Sequence, residues 1–307
     1  MKVRVLGAGI AGQVLHRELC LRGIESELVE RAAFPREKVC GGVLQPDSWR
    51  YLNRLFHITD PFLEMRSISH IWRGRRLSKV PLKEPLIFIP RLTLDHALFK
   101  QQQHGTLKAP EALEIDATGV GAQTGEWLGF QSRCEKADGL EMHYAEGIYL
   151  GLCPTLERDA HAAFIVKKDY FKNPKDLKER AERELGVRFT APLKGTGQIH
   201  YGYSPRNLAI GDAKLTTHPF LGLGMKHAML SAKLMADCIE RGQVQTFSRQ
   251  HARAFSRIRR VSALTGRLYD SPLRAVLKPF LKYELLFRPI YRWIHGAGDI
   301  PRTGSGG

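Results

Sequence analysis

A glycine-rich turn between an apolar strand and a helix constrains the fold of this chain more than any other feature. The short apolar run Val3–Leu6 leads directly into Gly7-Ala8-Gly9-Ile10-Ala11-Gly12. The first glycine allows a tight turn, the second lets a phosphate approach the backbone, and the third lets helix and strand pack closely. The free N–H groups of the helix N-terminus favour phosphate oxygens. The pattern predicts a dinucleotide site with these contacts: Gly7, Gly9, Ile10, Ala11 and Gly12.

A second strand and an acidic residue complete the unit. Ile24–Glu30 alternates as a strand does, and Glu30 follows the glycines at about the 20-residue spacing of ribose-binding acids. We therefore expect a βαβ unit in which Glu30 accepts hydrogen bonds from the two ribose hydroxyls of an adenosine.

Composition excludes several classes of protein. The 43% hydrophobic and 25% charged residues are typical of a globular enzyme, and no apolar run is long enough to span a bilayer. Five scattered cysteines without a CxxC pair indicate a reducing compartment and no structural metal. The first strand begins at Val3 and leaves no room for a signal peptide, so we expect a cytoplasmic protein. The net charge of +16 indicates a polyanionic partner.

The segment that follows Glu30 carries a specific resemblance. The run 30–42 (ERAAFPREKVCGG) resembles the FAD-contact segment of the geranylgeranyl-reductase family. That family belongs to the glutathione-reductase-type flavoproteins, together with aromatic hydroxylases and flavin-dependent halogenases. The resemblance implies FAD as cofactor, with contacts from Arg31, Arg36, Cys40, Gly41 and Gly42.

Three further segments resemble the same group, in the same order. Pro90–Asp95 is similar to its R-x-x-L-D entry to a helix, and Asp116–Gly119 to the acidic turn on the adenine side. Asn207–Ala213 and His218–Met225 together resemble the second FAD fingerprint, whose helix N-terminus points at the flavin. The cofactor contacts implied by these three segments are Arg91, Thr118, Gly119, Gly211, Asp212, Pro219, Gly222, Gly224 and Met225.

The resemblance predicts an α/β fold. A Rossmann-like FAD-binding domain is expected over 1–66, 90–130 and 195–245, with an inserted antiparallel β-sheet substrate domain over 67–89 and 131–194. Within the first domain, Asn207–Ile210 is predicted as a strand. A basic helical segment over 246–301 and a flexible tail over 302–307 complete the chain.

Several positions depart from the family pattern. The connection 103–114 is short, and Lys214-Leu215, Leu221 and Leu223 stand where relatives favour small residues and an acid. Gly151 replaces a tryptophan of the aromatic strand that covers the flavin in geranylgeranyl reductases. The paired tryptophans of the halogenase signature are absent, which weighs against halogenation. No second complete GxGxxG exists, so NAD(P)H is expected only as a transient electron donor.

Candidate catalytic side chains are few, because the flavin itself carries the redox chemistry. Cys40 is a candidate proton donor or substrate contact, and a small buried thiol is the alternative interpretation. Tyr149 and His143 lie on the predicted substrate sheet, where a packed core group is the alternative. His218, just before the flavin-facing helix, is the better candidate proton donor.

The last third of the chain is basic and rich in aromatic residues. Nucleic acid is disfavoured as a partner, because no nucleic-acid module accompanies the Arg249–Arg302 region. Three interpretations stay open: solvated helices packed on the body, an acyl-carrier protein as partner, or peripheral contact with anionic membrane. The membrane interpretation assigns contacts to Arg274, Lys278, Lys282, Arg288 and Arg292.

The resemblance thus implies an FAD-dependent oxidoreductase acting on a hydrophobic small molecule or lipid. The first hypothesis is a geranylgeranyl-reductase-like enzyme that reduces C=C bonds of a lipid or polyene. The alternative is a flavin monooxygenase that hydroxylates an aromatic or polyketide-type substrate. A third hypothesis is a degenerate flavoprotein fold that serves as a non-catalytic binding subunit.

Overall fold

A three-stranded parallel sheet carries the glycine-rich turn. The computed structural model describes residues 1–102, 111–119, 125–199, 201–270 and 282. In the parallel sheet the order is β2 (Ser26–Val29), β1 (Val3–Leu6) and β6 (Leu113–Asp116), and α1 (Ile10–Leu21) connects β1 to β2. The βαβ unit expected from the sequence is therefore present.

The strand predicted over Asn207–Ile210 is reduced to a single bridge. Ala209 pairs with Asp116 as an isolated parallel bridge, and the Asp116 amide donates to the Leu208 carbonyl at 2.8 Å. The chain then turns at once into a 3₁₀ turn, Gly211–Ala213, which prevents further pairing along β6. The prediction of a full strand is wrong, although the segment does lie beside β6.

The core beneath the parallel sheet is made of alternating strand residues and two helices. Val3 and Val5 of β1 are fully buried, whereas Arg4 pairs with Glu27 and Glu114 on the neighbouring strands. The apolar faces of α1 and of α5 (Gly224–Glu240) pack on this core. Alternate burial in the strand thus fixes which side of the sheet the two helices cover.

An eight-stranded sheet forms the second layer. Its strands pair antiparallel except for the parallel pair β4 and β8. In spatial order the strands are β11 (Lys194–Ile199), β7 (Trp127–Cys134), β10 (Ala160–Lys167), β9 (Ile148–Pro154), β8 (Leu140–Ala145), β4 (Leu63–Trp72), β5 (Arg75–Phe88) and β3 (Val43–Leu44). Gly195 and Gly197 lie in β11 at a register shift.

The two faces of the large sheet have different neighbours. The outer face packs on α4 (Pro174–Leu185), which begins at an Asn173 cap and ends at Gly186 in the left-handed conformation. The other face, here called the inner face, looks toward the loops that follow β1 and Ile210. Those loops contain both glycine-rich segments, so the candidate site lies between the two sheets.

The remaining elements surround this arrangement. They are α2 (Pro46–Phe56), α3 (Arg91–Lys100), α6 (Phe247–Ala254), α7 (Ser256–Asp270) and the hairpin of β12 (Gly202–Tyr203) and β13 (Leu215–Thr216). Across the described ranges, no helix has both the length and the apolar character needed to cross a membrane. No group of three or more metal-binding side chains occurs in those ranges either.

Three predicted domain boundaries lie within strands, and part of the predicted C-terminal segment lies outside the described residues. The predicted boundaries at 66/67, 130/131 and 194/195 lie within β4, β7 and β11, all strands of the large sheet, because pairing continues across them. Of the predicted basic segment, α6 and α7 are described; Arg274, Lys278, Arg288, Arg292 and the tail 302–307 lie outside the description. Lys282 is helical and exposed. Membrane contact therefore stays a prediction.

A buried ion pair holds the first turn of α3. The Arg91 guanidinium donates to both Asp95 carboxylate oxygens, at 2.6 and 2.8 Å, and the Asp95 side chain has no solvent exposure. Burial opposes ionisation of Arg91, but Asp95 and Cys40 raise its pKa. Asp95 also lies 3.7 Å from Arg36 Nη2, which ties α3 to the loop that follows β2.

Replacing Asp95 with alanine is expected to lower the free energy of unfolding by about 3–5 kcal/mol, because the Arg91 guanidinium is left buried without its carboxylate. The control is Glu84→Ala, which removes an exposed pair with Arg50 and is expected to cost about 1 kcal/mol or less. Denaturant unfolding measures both variants. Equal losses would contradict the structural importance of the buried pair.

Candidate active site

The three glycines of the first turn differ in the space around them. At Gly7, whose φ is +102°, an added Cβ would lie 2.7 Å from the Ala117 carbonyl oxygen; at Gly12 it would collide with the Gly7 carbonyl oxygen. At Gly9 the nearest atom would be Arg36 Nη2, at 3.9 Å. Gly7 and Gly12 therefore serve backbone packing, whereas Gly9 leaves its surface open to a ligand.

Glu30 and Arg36 hold the turn from the side. Glu30 accepts hydrogen bonds from the Ala8 amide at 2.9 Å and from the Ala32 amide at 3.0 Å. Arg36 donates to the Ala8 carbonyl at 3.1 Å and lies over the Phe34 ring. These contacts bring both predicted residues to the glycine turn. Arg31 is exposed.

The second fingerprint meets the first at a point of close backbone contact. Gly211 has φ of +58°, and an added Cβ would lie 2.8 Å from the Ala11 side chain at the start of α1. The Gly211 amide donates to Ser231 of α5 at 3.3 Å. Glycine is required here by both conformation and space. Gly211 thereby packs between the start of α1 and the second turn of α5.

Both helices begin without a side-chain cap. The residues that precede α1 and α5 are Gly9 and Leu223; neither makes a capping hydrogen bond with its side chain, and neither first turn contains an acid. Gly222, with φ of +61°, has no atom within 4 Å of an added Cβ. The first amides of each helix and its partial positive charge therefore face the open glycines. Pro219 lies in the 3₁₀ turn before α5, whereas Gly224 and Met225 begin the helix.

Lys38 is a candidate site residue to which the sequence analysis assigned no role. Its Nζ lies 4.0 Å from Asp212 Oδ2 and would lie 3.5 Å from a Cβ at Gly119. Lys38 therefore lies where the segment 30–42, the acidic turn and the second fingerprint approach one another. The only sequence signal was its place in the quoted run, between Glu37 and Val39.

The acidic turn is organised by Asp116. Its carboxylate accepts hydrogen bonds from the Thr118 amide at 3.0 Å and hydroxyl at 2.6 Å, and it pairs with Arg206 at 2.6 Å. Burial opposes ionisation, but the hydrogen bonds from Thr118 and Arg206 outweigh it and lower the pKa of Asp116. Thr118 is exposed at the rim, and Gly119 has φ of +82°.

The predicted flavin loop is attached to the large sheet by two residues that sequence reasoning missed. His161 Nε2 donates to the Cys40 carbonyl at 2.8 Å, and Cys153 Sγ contacts the Gly41 carbonyl at 3.8 Å. Gly42 is crowded, since an added Cβ would lie 2.8 Å from the Ile89 carbonyl oxygen, whereas Gly41 has open space. The sheet thus positions the loop through backbone oxygens.

Residues paired across β9, β10 and β7 form successive rows on the inner face. The row next to the loop contains Cys153 and His161, and the following row contains Gly151, Ala163 and Gln131. A Cβ at Gly151 would meet only the Ala163 carbonyl oxygen, at 3.8 Å. Gly151 and Ala163 therefore form a stretch of small residues beside the predicted flavin loop, here called the trough, between Gln131 and Met142 of the same row.

The row beyond the trough contains Tyr149, a member of a buried aromatic cluster. The Tyr149 ring lies 5.3 Å from Phe220 and 5.6 Å from Tyr144. We call Trp127, Tyr144, Tyr149 and Phe220 the aromatic cluster. Burial raises the pKa of Tyr149, so its phenol is neutral at physiological pH. Tyr144 also bonds His70 Nδ1 at 2.8 Å.

His218 does not occupy the position expected of a proton donor. It is fully buried, its ring meets Trp127 edge-on at 5.9 Å, and its backbone amide donates to Ser262 of α7 at 2.7 Å. Burial lowers its pKa to about 4, so the ring is neutral at physiological pH. The structure therefore favours a packing role over the predicted donation of a proton.

Three other candidate residues have defined partners in the structure. His143 faces away from the site, toward Glu141 and the Leu185 carbonyl. Arg91 is buried and donates to Asp95, and its contact with the cofactor stays a prediction. The Cys40 carbonyl accepts from His161, and a catalytic role of the Cys40 thiol stays a prediction.

Lys214 also points away from the site. Its side chain is buried, and its Nζ donates to the Arg206 carbonyl and to Ser248 Oγ, the latter at 3.0 Å. The unusual lysine in the second fingerprint therefore anchors α6 and does not place a charge at the open glycines. This position is compatible with cofactor binding.

The residues present fit FAD. The open glycines Gly9, Gly41 and Gly222 belong to three separate loops that meet between the sheets, and two uncapped helix N-termini face them. Side chains at these glycines would fill the space that a dinucleotide backbone and a flat ring system need. Two acids lie near these helix starts: Glu30 accepts from the Ala8 amide before α1, and Asp47 pairs with Lys226 in the first turn of α5 at 2.7 Å.

The fold is similar to that of solved structures that include flavin-dependent enzymes. FqzB is similar, with a TM-score of 0.74 and 16% identity over 98% of this chain and 97% of that chain. The flavin-dependent brominase Bmp2 has a TM-score of 0.73 and 14% identity, covering 100% and 96%. PqsL from Pseudomonas aeruginosa, described as a probable FAD-dependent monooxygenase, has a TM-score of 0.64 and 15% identity, covering 95% and 99%. The predicted α/β flavoprotein fold is confirmed.

No protein-family model matches the chain, and no curated protein matches it by sequence.

Gly9→Ala and Gly12→Ala form a matched pair of variants: the first tests the space needed by FAD, and the second tests backbone packing. Gly9→Ala is expected to keep the free energy of unfolding within about 1 kcal/mol but to weaken FAD binding at least 10-fold, because the added methyl lies where the cofactor approaches. Gly12→Ala is expected to cost about 3 kcal/mol through overpacking. Denaturant unfolding and FAD titration measure both. Unchanged FAD affinity in Gly9→Ala would contradict the assignment.

Proposed function

We propose that this protein is an FAD-dependent monooxygenase that hydroxylates a hydrophobic aromatic or polyketide-type substrate. The observation that carries the proposal is the pair of uncapped helix N-termini, at Gly9 and Leu223, on two helices that pack together around Gly211. Such a site favours a ligand with a central pyrophosphate and a flat ring at one end.

Each part of the site has a role toward FAD. The amides at the start of α1 would bind the pyrophosphate, and Glu30 would accept the ribose hydroxyls by exchanging them for the Ala8 and Ala32 amides. Asp212, with Lys38 beside it, would hold the ribityl chain, while Gly222–Gly224 and Gly41 would lie against the ring. Bound FAD supplies the chemistry of hydride acceptance and oxygen activation.

The inner face suits an uncharged ring. Burial lowers the pKa values of His70 and His218 to about 4 and raises that of Tyr149, so all three are neutral at physiological pH. Gly151 and Ala163 leave room beside the flavin loop, and the aromatic cluster bounds this room on one side. An apolar substrate would be held by burial and would exclude water from the reacting atoms.

The structural neighbours favour the oxygen-using alternative over the geranylgeranyl-reductase hypothesis. Their descriptions name a monooxygenase and a brominase. The missing paired tryptophans weigh against halogenation in this chain, which leaves hydroxylation as the better-supported reaction. NAD(P)H is proposed as a visiting reductant. The non-catalytic hypothesis is based on the short connection 103–114. Residues 103–110 of this connection lie outside the described part of the chain, so the hypothesis stays a prediction.

Oxygen dependence distinguishes the reactions. With NADPH, the FAD-loaded protein is expected to take up oxygen faster on addition of 2-naphthol, and to leave NADPH unchanged under anaerobic conditions with geranylgeranyl diphosphate. An oxygen electrode and NADPH absorbance measure the two arms. Anaerobic NADPH oxidation with the isoprenoid would establish the reductase instead. A folded protein that stays colourless after addition of FAD would support the non-catalytic hypothesis.

Filling the trough tests where the substrate lies. Gly151→Trp is expected to reduce the 2-naphthol-dependent oxygen uptake at least 10-fold, because an indole would occupy the space beside the flavin loop, while FAD content is unchanged. Gly151→Ala is the control, since its Cβ meets only the Ala163 carbonyl oxygen at an ordinary 3.8 Å. Equal activity in both variants would place the substrate elsewhere.

A further inference from the structure

A cleft of about 750 Å³ opens between the edge of the large sheet, the β12–β13 hairpin and α7. This volume is within the range of small-molecule sites, roughly 300–1,000 Å³. Its floor is a row of paired residues on the inner face, Lys167 of β10, Trp127 of β7 and Ile199 of β11. The cleft thus continues the same face that contains the trough.

The cleft has an excess of positive charge. Lys167, Lys168, Arg259 and Arg267 line it, against Glu126 and Asp169. None of the four cations forms an ion pair with an acidic side chain of the described residues, although Arg259 lies over the Tyr203 ring at 5.4 Å. Four cations that converge on one concavity create a local potential that favours an anion.

One wall of the cleft is apolar and flat. Trp127 is 3% exposed and contributes to both the cleft and the aromatic cluster, and Tyr201 packs against the same cluster. Charged groups therefore occur on α7 and at the end of β10, whereas aromatic rings occur on the side nearer the flavin loop. A ligand that matches this division has an anionic end and a flat apolar body.

The strand geometry sets the length of such a ligand. The cleft row at Lys167 and the trough row at Ala163 are four residues apart on β10, with the Tyr149 row between them. At about 3.4 Å per residue, this separation is roughly 14 Å. An acid that reaches from the cations to the trough must extend past the aromatic cluster.

We propose that the cleft binds the anionic end of an elongated aromatic or polyene acid, and that this acid is the substrate class of the site. The inference rests on the proposed function for the identity of the ligand as substrate, but binding in the cleft does not need flavin turnover. Lys167, Lys168, Arg259 and Arg267 hold the acid group, and the aromatic cluster directs the apolar body toward the trough.

The first experiment measures binding alone. In calorimetric titrations of the full-length FAD-loaded protein without NADPH, 2-naphthoate is expected to bind at least 10-fold more tightly than the neutral 2-naphthamide. The Kd for the acid should rise with salt, because the cations that line the cleft are accessible to screening ions. Equal affinities of the two probes, or no binding of the acid, overturn the proposal.

Matched variants locate the binding. Arg259→Gln with Arg267→Gln is expected to raise the Kd for 2-naphthoate at least 10-fold. Arg253→Gln with Arg260→Gln changes the same charge on exposed residues of α6 and α7 outside the cleft, and is expected to leave the Kd within twofold. Ala263→Trp, which adds bulk to the cleft without changing charge, should also weaken binding. Equal effects of the two double variants overturn the assignment.

The second experiment tests whether an acid bound in the cleft extends as far as the trough. Among ω-phenyl fatty acids of increasing chain length, only those long enough to span the two rows should perturb the absorbance of the bound flavin, and Arg259→Gln with Arg267→Gln should abolish this perturbation. Perturbation by short and long acids alike, or by none, overturns the substrate assignment. A protein that binds 2-naphthoate but takes up no FAD would refute the proposed function while the acid site remains.

Discussion

The close contact between Gly211 and Ala11 is the constraint on which the site depends. A side chain at position 211 would collide with the start of α1, so the contact sets how closely α1 and α5 pack around this glycine. Each of these helices begins with a partial positive charge and no side-chain cap. A cofactor with its pyrophosphate at the start of α1 and its ring at the start of α5 would bind only the folded chain and stabilise the native state by mass action.

The outer face of the large sheet stabilises the fold, and its inner face lines the candidate site. The outer face, with residues such as Phe164 and Val166 packed on α4, supplies the apolar burial that holds the strands in register. The inner face is then able to carry glycine and alanine in its middle, where larger residues would otherwise be needed for packing. Neutral histidine and tyrosine side chains keep the part of this face around Tyr149 uncharged, whereas Lys167 and Arg133 lie at its two ends.

Local motifs predicted the parts of the fold whose residues are close in sequence. The β1–α1–β2 unit, the helix α5 and the roles of Gly7, Gly9 and Gly12 follow from spacing and from the conformational freedom of glycine. Sequence did not reveal His161 and Cys153, because their contacts with the loop depend on strand pairing more than 100 residues away. The burial of His218 and Arg91 was not predictable for a related reason: a motif identifies a segment, but tertiary packing decides which way each side chain points.

The attachment of the flavin loop to the sheet has an evolutionary consequence. His161 and Cys153 both contact main-chain oxygens, so the attachment does not depend on which side chain stands at position 40. A substitution at position 40 would therefore leave both contacts in place, whereas a change at His161 would remove one of them. Variation of the side chain at position 40 can thus alter the chemistry beside the predicted flavin loop without moving its backbone.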